Sequence, residues 1–192
     1  MANPNLTIML AVYASNNKGA DVTSQVTSLT ASGNDDVTAN NASFGDPDPG
    51  STKYFIVWYT SPSVNNGNPV GLACAEGQTI DLIPTSPPSY YFATSAQPSL
   101  GQSAISTISV TRAVYGTPNN GFDVTAICQA IVNQGGIVAG QSSAPAQIAI
   151  ANETFGGDPD YGNTKYFAME YSVNGTATFV GGQEGQTLSV GF

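Results

Sequence analysis

No histidine occurs anywhere in the 192 residues, and only four are basic: Lys18, Lys53, Arg112 and Lys165. The first absence removes the usual general base near neutral pH, the commonest transition-metal ligand and the simplest pH switch, so zinc sites and histidine-based triads are excluded. The second leaves a formal net charge of −9, with 13 acidic residues. Such a chain repels phosphate backbones and anionic lipid, because affinity for both comes largely from Lys and Arg; nucleic acid is not expected as a partner. Charge of either sign is scarce, at 9% of residues against roughly 25% in ordinary globular chains. Long apolar runs are lacking too, and no membrane span is expected.

Cysteine is nearly absent. Cys74 and Cys128 stand where the other half of the chain has Gly182 and Val26, so they are not a duplicated disulfide framework. A single bridge between the halves and two buried free thiols both fit, and the redox compartment stays open. No Lys or Arg precedes the short run Ile8-Met9-Leu10-Ala11-Val12, so the charged start of a signal peptide is not seen; such a segment is either lacking or was removed. The low charge and polar composition favour an extracellular or surface setting.

What is present is a folding chain with an internal duplication. Hydrophobic residues make up 41%, with nine Tyr and eight Phe, enough for a packed core. The segment Phe44-Gly45-Asp46-Pro47-Asp48-Pro49-Gly50-Ser51-Thr52-Lys53-Tyr54-Phe55 returns as Phe155-Gly156-Gly157-Asp158-Pro159-Asp160-Tyr161-Gly162-Asn163-Thr164-Lys165-Tyr166-Phe167. Two of the four basic residues therefore hold one place in a repeat. Residues 1–83 and 104–192 read as the two modules, and the Pro- and Ser-rich residues 84–103, with Tyr90-Tyr91-Phe92 inside, read as a linker whose aromatics dock or add a strand.

Residues 5–13 alternate as a half-buried strand, with Leu6, Ile8, Leu10 and Val12 on one face, and residues 108–115 match them. Asp21-Val22-Thr23 and Asp123-Val124-Thr125 each place an Asp at a helix start. The second helix is the better one, with Val124, Ile127, Cys128 and Ile131 on one face and Gly135-Gly136 at its end. The first, on Val22, Val26 and Leu29, is rich in Ser and Thr. From Asp-Val-Thr to the Asp-Pro loop the second module carries about ten more residues, in the loop 135–145. Residues 37–44 and 148–155 read as strands, and the aromatic runs 54–59 and 166–171 as central strands. Asn65-Asn66-Gly67 and Asn174-Gly175 suggest primed hairpin turns. The fold class is thus mainly β: two tandem, pseudo-symmetric antiparallel β-sandwich-like modules, each with one short helix.

The series Ala113-Val114-Tyr115-Gly116, Asp123-Val124-Thr125, Asp158-Pro159, Gly162 and Lys165 resembles an uncharacterised domain found at the C-terminus of some DnaJ-type co-chaperones, the second module more closely than the first. The chain has no J domain, lacking the His of the His-Pro-Asp signature. The resemblance implies a fold and a tandem arrangement, and a peptide-binding, chaperone-associated role as one expectation; it carries over no catalytic residue.

Three constellations are candidate sites. Asp46 with Asp48, and Asp158 with Asp160, could hold calcium through carboxylate and carbonyl oxygens; the plainer reading is a turn begun by Asp-Pro, with Lys53 or Lys165 pairing the loop carboxylates. Arg112 and Glu170 replace Leu10 and Trp58 of the first module, and adjacent strands would make them an ion pair that is either structural or ligand-binding. The sequons at Asn5, Asn41, Asn152 and Asn174 include one repeat-equivalent pair, Asn41 and Asn152, which suits the bend before Phe44 and Phe155.

Catalysis is not expected. Gly-x-Ser-x-Gly elbows, Asp-Thr-Gly motifs and phosphate-binding Gly-rich loops are missing, and no nucleophile has an evident base. The expected function is a non-catalytic binding module, lectin-like, recognising neutral glycans or a cell or protein surface; two related sites would add avidity. The alternative is a self-assembling homo-oligomeric subunit of a filament or coat, since so few Lys guard the strand edges.

Overall fold

The computed structural model describes residues 5–86, 108–134 and 145–191. The linker trio Tyr90-Tyr91-Phe92, the expected helix stop at Gly135-Gly136 and nearly all of the loop 135–145 lie outside the described residues. The chain is mainly β, in two modules of one plan. In the first, β1 (Thr7–Ala14), β2 (Gly19–Asp21), β4 (Tyr54–Thr60) and β5 (Val70–Ala75) form an antiparallel sheet in the order β2-β1-β4-β5, while β3 (Asp36–Thr38) pairs with β6 (Thr79–Asp81). Helix α1 (Thr23–Thr30) and a single turn, α2 (Asn41–Phe44), join these strands. The second module repeats the plan with β7 (Ile108–Gly116), β8 (Gly121–Asp123), β10 (Tyr166–Val173) and β11 (Thr176–Gln183) in the order β11-β10-β7-β8. Its small sheet joins β9 (Ala146–Ala149) to β12 (Thr187–Val190), and its helices are α3 (Thr125–Gln134) and α4 (Asn152–Phe155).

The aromatic strands β4 and β10 are central, as their composition implies. They read as nearly unbroken apolar runs because both faces are covered. Phe55, Val57 and Tyr59 face the first module's own core, whereas Tyr54, Ile56 and Trp58 face the sister module. Val12, Ala14 and Ala73 join that second face, and Val114, Tyr166 and Ala168 meet it from the other sheet. The two four-stranded sheets therefore pack on each other, and each carries its helix and small sheet on its outer side. Repeat-equivalent Tyr54 and Tyr166 stack with ring centroids 6.2 Å apart; equivalent residues that touch each other mark a pseudo-two-fold axis.

Two backbone bonds follow the same symmetry. The Ala73 amide donates to the Thr117 carbonyl at 3.0 Å, and the Gly181 amide to the Ser15 carbonyl at 2.6 Å. Each ties an edge strand, β5 or β11, to the turn of the other module. At Gly121 a Cβ would stand 2.4 Å from the Gly71 carbonyl oxygen, so this close approach admits only glycine.

Register in β1 departs from simple alternation. Ile8 lies opposite Tyr59 but Leu10 opposite Trp58, so Met9 is an extra residue, a β-bulge. The skip reverses the phase. Leu6 and Ile8 share the module core with Ala11 and Tyr13, while Leu10 and Val12 face the sister module. Thr111 is the corresponding extra residue in β7, between Val110 and Arg112.

The Asp-Val-Thr motif divides its tasks. Asp21 and Asp123 accept from the amides of Thr23 and Thr125 at 2.8 and 3.0 Å just ahead of each helix; in α1 the N-cap itself is Val22, one residue later than expected and without a side-chain bond. Val22 and Val124 are fully buried. The Thr23 and Thr125 hydroxyls accept from the amides of Ala11 and Ala113, binding helix to strand just past the bulge. Leu29, expected on the buried face of α1, is 40% exposed; Thr30 is buried instead, its hydroxyl returned to the Val26 carbonyl at 3.0 Å. Spacing decides this, since Val22, Val26 and Thr30 fall four apart on one stripe.

Two local expectations are corrected. The strands expected at 37–44 and 148–155 stop early and give way to α2 and α4; Asn40 caps α2 by accepting from the Ser43 amide at 2.8 Å, whereas α4 starts at Ala151 without a side-chain cap. Asn174-Gly175 does form a two-residue turn with positive φ at both positions, but Asn65-Asn66-Gly67 is a 3-10 turn inside a longer loop.

Candidate functional site

The repeated Asp-Pro loop resolves into a chain of polar contacts that runs the same way in both modules. The Tyr13 hydroxyl donates to Asn41 Oδ1 at 3.0 Å, and the Asn41 amide reaches Asp46 at 3.4 Å. Asp46 meets Lys53 Nζ at 3.0 Å, and Nζ also lies 3.4 Å from Glu76 and donates to the Ser51 carbonyl at 2.8 Å. In the second module Tyr115, Asn152, Asp158, Lys165 and Glu184 take the same parts, with Lys165 2.9 Å from Asp158 and 3.6 Å from Glu184. Both lysines are buried, at 2% and 3% exposure, so each ammonium must be paired. Burial opposes the charge on Lys53, but its bonds to Asp46 and Glu76 prevail and its pKa is raised. Burial, then the charge of Glu76, pushes the Tyr13 hydroxyl up; burial and Glu184 do so for Tyr115. Beside the chain, Tyr13, Phe44 and Phe55 pack ring on ring at 5.3 and 5.1 Å, and Tyr115, Phe155 and Phe167 at 4.7 and 5.2 Å.

Asp48 and Asp160 fasten each loop to the neighbouring hairpin. Ser15 donates to Asp48, and Thr117 to Asp160, both at 2.6 Å; hydrogen bonds from Ser15 and Ser51 hold the Asp48 carboxyl below its ordinary range. The four loop carboxylates thus already accept from protein donors, and an ammonium stands against Asp46 and Asp158. This donor set does not fit a dedicated calcium cage, which needs six to eight free oxygens.

Arg112 and Glu170 are opposite each other in register, as expected, yet the ion pair forms elsewhere. The Arg112 guanidinium bonds Asp123 at 2.5 Å and lies 4.6 Å from the centre of the Trp58 ring across the module interface. Trp58 offers a face that the register partner lacks, and Asp123 comes from the adjoining strand β8. Glu170 is left half-buried, its pKa raised by burial and by the charge of Asp21. Sequence spacing pointed to the strand pairing but not to the cross-module stacking, which needs the two sheets to be packed together.

Two clefts lie at the module junction and are built from corresponding parts: a hairpin turn, an Asp-Pro loop and an element of the sister module. One, of about 240 Å³, is lined by Asn16, Ser51, Thr52, Tyr54 and Gln186. Burial raises the Tyr54 hydroxyl's pKa while its bond to Gln186 offsets part of this. The other, of about 340 Å³, has Pro118, Asn119, Asn120 and Asp160 on one side and Leu72, Asp81, Pro84 and Ser86 on the other. Sequence reasoning missed both, since each takes residues from two modules; the repeated turns Ser15-Asn16-Asn17 and Thr117-Pro118-Asn119 were the available signal.

Among the described residues, Asp35, Asp36 and Asp81 form one close carboxylate group. Asp36 and Asp81 are cross-strand partners, and Asp81 has a raised pKa from burial and from its two acidic neighbours. Cys74 and Cys128 are buried free thiols, one in each module core, pushed up by burial. No helix among the described residues is long and apolar enough to cross a membrane. Comparison with protein-family models, curated proteins and solved structures finds no match, so the function must be argued from the site alone.

Proposed function

We infer that this protein is a non-catalytic recognition module for neutral, hydroxyl-rich glycans, acting at a cell or extracellular surface. The observation that carries the reading is the lining of the smaller cleft: five uncharged side chains, Asn16, Ser51, Thr52, Tyr54 and Gln186, drawn from both modules. Amides and hydroxyls both donate and accept, which suits a sugar whose every hydroxyl does the same. The loop charges are absorbed by the scaffold, three of the four basic residues being held in ion pairs. Two clefts of corresponding construction would allow simultaneous engagement of one extended or clustered glycan.

Self-assembly through strand edges has fewer openings, because β5 and β11 are each bonded to the sister module and an edge so covered offers less to a second copy. The test is a glycan array probed with the full chain, with and without calcium. Dose-dependent binding to neutral glycans is expected, weakened in Asn16→Ala and Thr52→Ala, whose side chains are exposed. No binding to any glycan in either condition sinks the reading.

A further inference from the structure

The two Asp-Pro loops share a scaffold and differ at the tip. In the second loop the Asp160 amide donates to Asp158 at 3.0 Å, the Asn163 amide to the Asp160 carbonyl at 3.2 Å, and Thr117 holds the Asp160 carboxylate. The first loop makes the same three bonds through Asp48, Asp46, Ser51 and Ser15. Gly50 and Gly162 both turn through positive φ, at 87° and 84°. Between Asp48 and Gly50 stands Pro49; between Asp160 and Gly162 stands Tyr161.

Tyr161 is 93% exposed, whereas the other tyrosines among the described residues are buried. No part of the fold is served by holding this ring in water. Its backbone is nevertheless fixed on both sides, so a ligand meeting the ring would order two side-chain torsions and no loop. The preceding residue, Asp160, is a wall of the larger cleft, beside Pro118, Asn119 and Asn120. A pyranose has one face of C–H groups and a rim of hydroxyls. The electron-rich face of an aromatic ring suits the former, and the exposed amide of Asn119 with the Asp160 carboxylate suits the latter.

We propose that Tyr161 is a stacking platform for a pyranose ring seated against the cleft walled by Pro118, Asn119, Asn120 and Asp160, and that it makes this the tighter of the two clefts. The first module, with Pro49 at the tip, has no counterpart. The proposal rests on the glycan reading above and assigns it a specificity-determining residue.

The full chain is titrated with cellotetraose, mannotetraose, xylotetraose and chitotetraose, following affinity by calorimetry and tyrosine exposure by photo-CIDNP. At least one sugar should suppress the Tyr161 signal on saturation, identified by its loss in Tyr161→Phe. Tyr161→Ala and Tyr161→Pro should weaken binding roughly five- to tenfold, as the loss of one aromatic contact does, while Tyr161→Phe stays within about twofold. All three should melt with the parent protein, since the side chain is almost wholly exposed. Sugar binding that Tyr161→Ala leaves unchanged overturns the platform and leaves the glycan reading standing. No binding of any of the four sugars by a chain that does bind on the array also overturns the platform alone; silence in both assays overturns both. Suppression of the Tyr161 signal by choline but by no sugar replaces the saccharide with an organic cation over the ring and likewise overturns the proposal.

Discussion

Module 1 and module 2 share one buried chain of polar contacts and differ most at exposed tips and along their interface. The contact chain from tyrosine through asparagine, aspartate and lysine to glutamate is the same in both, to within a few tenths of an ångström at each lysine. The differences sit at loop tips, in the small sheets and along the module interface. Pro49 answers to Tyr161. The carboxylates of Asp36 and Asp81 occupy the cross-strand positions where Gln147 and Ser189 are hydrogen-bonded at 3.0 Å. Leu10 and Trp58 answer to Arg112 and Glu170. A buried lysine and its partners must change together or not at all, because removing one strands the others; an exposed residue changes alone.

The sharpest test of equivalence is to break the buried chain in each module separately. Lys53→Met and Lys165→Met should each lose about 2 kcal/mol in denaturant unfolding. That lies below the roughly 3–5 kcal/mol of fully buried pairs, because the Asp46 and Glu76 carboxylates are 32% and 28% exposed. Equal losses support equivalent modules; a loss confined to one breaks the comparison. Next in size, Arg112→Leu gives module 2 the residue of module 1. It should cost about 1 kcal/mol from the lost pair with Asp123 and the contact with Trp58, and shift the emission of Trp58, the chain's single tryptophan. Unchanged emission would show that the guanidinium does not lie over the indole.

The smallest effect has the opposite sign. Asp81→Ser, which copies the second module, should stabilise by about 0.5 kcal/mol at neutral pH by removing like charges held opposite each other. Since folding raises the Asp81 pKa, the folded chain binds that proton more tightly than the unfolded chain. The parent protein therefore loses stability as pH rises through the folded value. The variant's advantage should be present at neutral pH and vanish in acid; thermal melts across that range check it, and a pH-independent difference would assign the effect to packing instead.

Much of the scaffold was legible in the chain. The repeat named the modules, the unbroken aromatic runs named the central strands, and the paired positions of Lys53 and Lys165 with Asp46 and Asp158 anticipated their contact. Glu76 and Glu184, the second partners of the lysines, lay in a repeated Glu-Gly-Gln whose role the spacing did not reveal. The bulges at Met9 and Thr111 escaped because Leu6, Ile8, Leu10 and Val12 alternate straight through the skip, and the pattern alone reads as one unbroken phase. Arg112 was expected to meet its register neighbour; an indole from the other module and an aspartate from the adjoining strand took it instead.

Sequence alone determined what is local or doubled: helix starts at Asp-Val-Thr, turns at Asp-Pro and Asn174-Gly175, the scarcity of basic charge, and the equivalence of the two halves. These follow from short-range sterics, hydrogen bonding within a few residues, and counting. Tertiary structure decided that the two sheets face each other, that Trp58 lies beside Arg112, and that clefts open where a turn of one module meets the other. Such contacts join residues far apart in the chain, and they depend on which apolar face finds a partner, a quantity that composition and period leave undetermined. Tyr161 needed both: its place in the repeat came from the sequence, and its exposure on a pinned loop beside a cleft from the fold.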